Sequence, residues 1–100
     1  MRSKIDEYTV LYSANTFAPR IWLKSRGAYI GQLVFHPNGT LLPADDNVRG
    51  VNLQYHLDDF HNALDLLRNE KPVYLFYSGS GGGFENGIST AAEPVGEGEA

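Results

Sequence analysis

One hundred residues, 42% of them hydrophobic and none of them cysteine, suffice for one packed domain and exclude disulfides, thiolate catalysis and cysteine-based zinc sites. The net charge of −4 hides an uneven distribution, because Glu85, Glu93, Glu97 and Glu99 follow Ser78 without any Lys or Arg and leave the body before them neutral. Within that body, residues 8–44 hold Arg20, Lys24 and Arg26 and no acid, whereas residues 45–70 are predominantly acidic.

The first residues contain no apolar run that could form a signal-peptide core. Nowhere do about 18 apolar residues occur together, so the expectation is a cytoplasmic protein with no membrane role. Residues 8–13 (YTVLYS) are β-branched and aromatic, which predicts a strand. Residues 20–25 and 28–35 predict two more, joined through Arg26-Gly27 as a two-residue hairpin, since glycine adopts positive φ without strain. His36-Pro37-Asn38-Gly39 is a turn by composition, residues 40–42 a brief return strand and residues 43–50 a loop.

In residues 51–56, Val51, Leu53 and Tyr55 alternate with Asn52, Gln54 and His56, the pattern of a half-buried strand. Residues 58–69 form the one strong helical pattern, with Leu57, Phe60, Leu64 and Leu67 on a single face, Asp58 placed to cap the start and Pro72 forbidding continuation. Leu66 falls away from that stripe and with Ala63 could mark a subunit contact. Residues 73–78 (VYLFYS) read as a covered strand, and Phe84 and Ile88 suggest an edge strand within 84–90. The fold expected is α+β: a curved antiparallel sheet of about 4–6 strands with one helix packed on one face. Residues 1–90 make the single domain and residues 91–100 a flexible acidic tail.

Over residues 8–69, the order of strands followed by a helix is similar in outline to the Whirly and transcriptional-cofactor families of single-strand DNA binders. The resemblance is one of topology, rests on no shared motif, and implies a nucleic-acid-binding sheet face. A strand after the helix departs from it.

The residues themselves point to the same surface. Pairing Lys24 with Tyr29 and Trp22 with Gly31 puts Arg20, Trp22, Lys24, Tyr29, Leu33 and Phe35 on one side of the hairpin, opposite Ile21, Leu23, Ala28, Ile30 and Val34. With Arg26 at the turn, the candidate binding set is Arg20, Trp22, Lys24, Arg26, Tyr29 and Phe35. Aromatic rings stack on any base and cations follow phosphates, so the expected partner is single-stranded nucleic acid, bound weakly because only three cations are involved. The competing expectation is a structural or protein-interaction domain in which the same aromatic face forms the core of a homodimer. Exposure of Trp22 in the assembled protein separates the two. A third expectation, a small phosphate-ligand binder or enzyme, uses the loop Ser78-Gly79-Ser80-Gly81-Gly82-Gly83, which lacks the Gly-Lys-Ser/Thr ending of a P-loop. His61, Asp58 and Asp65 read as capping and solvated groups rather than metal ligands, and Asp45-Asp46-Asn47 as a polar turn. No cofactor, metal or catalytic residue is assigned.

Overall fold

The computed structural model describes residues 1–96. The protein is α+β, with its strands divided between two open sheets around one hydrophobic core. The larger sheet has the order β2-β3-β4-β6-β5, comprising β2 (Glu7–Leu11), β3 (Arg20–Ser25), β4 (Ala28–His36), β5 (Asp46–Asn47) and β6 (Val51–His56). The smaller is β1-β7-β8, formed by β1 (Arg2–Lys4), β7 (Val73–Phe76) and β8 (Gly87–Thr90). Between β6 and β7 lie a 3-10 turn, Leu57–Asp59, and helix α1, Phe60–Asn69. Among the described residues no helix is long and apolar enough to cross a membrane.

The β3–β4 hairpin turns where expected. Arg26 (φ 52°) and Gly27 (φ 78°) both occupy the left-handed region, as a type I′ turn requires, and the Arg26 N–H donates to Asp6 Oδ2 at 2.6 Å. Most pairings are antiparallel, but β4 and β6 run parallel, because residues 37–50 carry the chain back before β6 begins beside Gly31. That return places Gly31 so close to β6 that a Cβ there would lie 2.5 Å from the Val51 carbonyl oxygen. The return strand expected at 40–42 is absent; β5 forms instead at Asp46–Asn47, within the expected loop, and pairs with the start of β6.

Alternation explains the core. Ile21, Leu23, Leu33, Phe35, Val51 and Leu53 from the large sheet are at most 1% exposed, and Leu75 meets them from the small one. Helix α1 closes the remaining side with Ala63 buried and Leu57, Phe60 and Leu67 packed on the core, while Leu64 and Leu66 are half-buried. The helix face is therefore centred on Ala63 rather than on Leu64, and Ala63 is core rather than a subunit contact. The 3-10 turn accounts for the rotation, since it advances about 120° per residue and shifts the phase between Leu57 and the helix proper. Asp58 does not cap the helix; its backbone N–H and its carboxylate instead bond the Asn38 side chain at 2.8 and 2.9 Å.

β7 lies in the middle of the small sheet, consistent with its apolar run, and β8 is the edge strand anticipated from Phe84 and Ile88. Strand β1 lies in a stretch to which the sequence assigned no element. The two sheets meet at the corner between β1 and β2, where the Ile5 N–H donates to the Val73 carbonyl and the Asp6 N–H to the Lys24 carbonyl. Of the tail expected at 91–100, residues 97–100 lie outside the described residues; 91–96 contain no strand or helix.

Candidate functional site

The face of the large sheet turned away from the core is built by β3, β4 and β6. Trp22 pairs with Gln32 and Lys24 with Tyr29, and the register slips by one residue between them at a bulge that leaves Ile30 as the extra residue on β4. The slip decides which side chains reach the surface. Beyond the bulge the parity of β4 reverses, so Leu33 and Phe35 join Ile21 and Leu23 in the core while Gln32 and Val34 lie on the outer side with Trp22 and Arg20. Phe35, expected on the binding face, is instead fully buried, stacked on Tyr55 at 5.6 Å and edge-on to Phe60 at 4.9 Å.

Trp22 is 40% and Tyr29 42% exposed, large fractions for aromatic side chains in the middle of a sheet. Together with Arg20 and Gln32 they line an open depression of about 360 Å³. Tyr29 is held from behind by Gly50, where a Cβ would come within 2.7 Å of its ring, and partial burial pushes its phenol above the ordinary value. The Arg20 guanidinium lies 5.7 Å from the centre of the Phe17 ring, and its Nε is buried without a hydrogen-bond partner. Lys24 is exposed and faces Glu7 across the β2–β3 pair, and Arg26 is exposed at the hairpin tip. Five of the six residues selected from sequence thus lie on this face or at its end, and Phe35 does not.

The sequence did not mark the polar ladder that continues the face. Gln32 Nε2 donates to Asn52 Oδ1 at 2.9 Å, and Asn52 Nδ2 donates to Asp46 Oδ1 at 2.6 Å. A carboxylate only accepts, so Asp46 fixes the orientation of the Asn52 amide, and Asn52 in turn fixes that of Gln32. Gln32 Oε1 is left without a partner in this chain of bonds, on a residue that lines the depression. Farther along the same two strands, His36 Nε2 donates to Gln54 Oε1 at 2.6 Å. The available signal was the alternation in β6, which put Asn52, Gln54 and His56 on the polar side; what could not be read was the parallel pairing that sets them beside β4.

The Gly-rich loop is arranged differently. Asn86 Oδ1 accepts from the N–H groups of Ser78 (2.7 Å) and Gly79 (3.4 Å), and Asn86 Nδ2 donates to Asp45 Oδ2 at 3.1 Å and to the Gly79 carbonyl at 2.9 Å. The backbone donors at the start of the loop are thereby engaged, with a carboxylate behind them. On the helix, the Asp65 carboxylate accepts from Asn69, and the His61 ring stands edge-on to Phe60. Among the described residues no group of three or more His, Cys, Asp or Glu is placed to hold a metal ion.

Fold and site define a small open-sheet α+β protein with an aromatic and basic platform on the sheet face opposite its core. No family model, no curated protein and no solved structure matches this chain.

Proposed function

We propose that this protein is a non-catalytic binding module that takes single-stranded nucleic acid on the face formed by Arg20, Trp22, Lys24, Arg26 and Tyr29. The observation that carries the reading is the joint exposure of Trp22 and Tyr29 in one depression with a cation and an oriented amide. Two rings in an open site offer stacking surface to unpaired bases, Arg20 and Lys24 supply positive charge for the backbone, and Gln32 presents a hydrogen-bonding edge. The engaged backbone donors of the Gly-rich loop make a phosphate cradle there the weaker reading. A homodimer across the same face is the second reading, favoured by the exposed Phe17 beside Arg20 and by the free edge of β2.

Trp22 is the only tryptophan, so its fluorescence reports the site directly. Single-stranded oligonucleotide is expected to quench it, with weaker binding by duplex, whose bases are already stacked. Trp22→Ala and Tyr29→Ala, followed by anisotropy of a labelled strand, should each weaken binding by about 5- to 150-fold, the equivalent of roughly 1–3 kcal/mol per stacked base. Unchanged fluorescence and anisotropy up to high micromolar strand at low salt would remove the reading. Sedimentation as a dimer that Trp22→Ala dissociates would put the homodimer in its place.

A further inference from the structure

The cations of this molecule are not spread evenly over it. The tip of the β3–β4 hairpin carries Lys24 and Arg26, and the parallel register brings Arg49, next to Gly50, to the same end beside Tyr29. The Asp6 N–H bonds Lys24 and the Asp6 carboxylate bonds the Arg26 N–H, which ties this tip to the corner where β1 ends. The result is a groove of about 570 Å³ lined by Arg2, Ser3, Lys4, Asp6, Ser25 and Arg26. It holds three cations and two hydroxyls against one carboxylate, and that carboxylate already accepts an N–H. Arg2 is held in place from below, its guanidinium 3.7 Å from the centre of the Tyr74 ring.

We propose that this groove is the phosphate-binding end of the nucleic-acid site, where the backbone of a strand whose bases lie on Trp22 and Tyr29 continues past the hairpin tip on to Arg26, Lys4 and Arg2. The proposal rests on the platform reading and extends it to residues on β1. From Trp22 to the end of β3 at Ser25 is about 10 Å along an extended strand. Because Ser25 shares the core-side parity of Leu23, the nucleic-acid backbone rounds the hairpin tip at Arg26 to enter the groove, a path that a few nucleotides span. A larger cavity of about 640 Å³ lies on the other side of Lys4, against the end of α1, and is the poorer anion site. Its Lys4, Arg68 and Lys71 stand against two carboxylates, Asp6 and Glu70, and the terminal carbonyls of the helix add partial negative charge there. Guanidinium and ammonium groups beside hydroxyls are the donors that phosphate oxygens take.

The test is the salt dependence of binding by two labelled single strands, about 4 and about 12 nucleotides long, within the range of site sizes that small single-strand-binding domains accommodate. The double variant Arg2→Gln, Lys4→Gln is expected to weaken the longer strand about tenfold at low salt and to flatten its log–log salt slope by about 1.4, or roughly 0.7 for each phosphate no longer neutralised. Maximal quenching of Trp22 and the affinity of the shorter strand should not change. Lys4→Glu alone, which leaves Arg2 on Tyr74, guards against a misfolded double variant and should act in the same direction. An unchanged slope with quenching intact would overturn the groove and leave the platform standing. An equal effect from Arg68→Gln would also overturn it, by showing general attraction rather than a site. Slope changes at Lys4 together with indifference to Trp22→Ala would keep the groove and overturn the platform. Absence of binding by either strand would overturn both.

Discussion

At the scale of single residues, the outer and inner faces of the large sheet obey different chemistry, and Tyr55 stands at the boundary. Its ring stacks on Phe35, and its phenol is pushed up to about 12, chiefly by burial and further by the charges of Asp45 and Asp59. The folded value lies above the ordinary 10, so the folded state holds this proton longer than the unfolded chain does. The resulting stabilisation is complete below pH 10 and is lost as pH rises toward 12, to the extent of roughly 2–3 kcal/mol. Tyr55→Phe should flatten the fall in stability across that window in denaturant titrations, and a parallel fall in both proteins would rule the linkage out. Residue identity alone revealed the exposed aromatic pair, because Trp22 and Tyr29 sit in strands whose other positions supply the core. It could not reveal that Phe35 is buried: the parity of β4 reverses at the bulge, and a bulge of one residue leaves no mark in a pattern of alternation.

Among the elements, β3, β4, β6 and β7 were legible because each carries its own apolar period, and the hairpin because Arg26-Gly27 suits the turn. β1 and β5 were not, since Arg2–Lys4 and Asp46–Asn47 have no apolar signal and are strands only through the neighbours they pair with. The helix was legible in extent but not in rotation. Its buried face centres on Ala63, which is 6% exposed and has the core directly beneath it. Ala63→Leu should therefore destabilise the domain by about 1–3 kcal/mol through overpacking, whereas Leu66→Ala at a half-buried position should cost less. Thermal unfolding of the two variants compares them directly; a greater loss at Leu66 would contradict the packing.

Over the whole molecule, basic residues gather at one end of the strands. The end marked by the hairpin tip and the last turn of α1 collects the cations of β1, β3 and the helix terminus around Asp6, Glu7 and Glu70, while Asp58 bonds Asn38 at the opposite end. No linear reading of the chain shows this, because the basic residues concerned are far apart in sequence and only the corner at Ile5 and Asp6 gathers them. Beyond Thr90 the described residues are mostly exposed and unpaired in any sheet. A chain ending at Thr90 should unfold at the same temperature as the full protein and, having lost Glu93, Glu97 and Glu99, should bind single strands more tightly at low salt. That difference should vanish as the Debye length shrinks from about 10 Å at 0.1 M to about 3 Å at 1 M. A drop of many degrees in the melting temperature would show instead that the segment docks.

The pairing of β1 with β7 has a consequence in time. The first and last thirds of the chain are joined across as many as 76 positions, as the bond from the Met1 ammonium to the Tyr77 carbonyl illustrates. Strands β2, β3 and β4 can pair through connections local in sequence, but the small sheet cannot form until β7 has been made. While the chain emerges from a ribosome at roughly 5–20 residues per second, the apolar face that Leu75 will cover stays open for several seconds. The same long closure places the protein among domains rich in non-local contacts, whose folding takes milliseconds to seconds rather than microseconds.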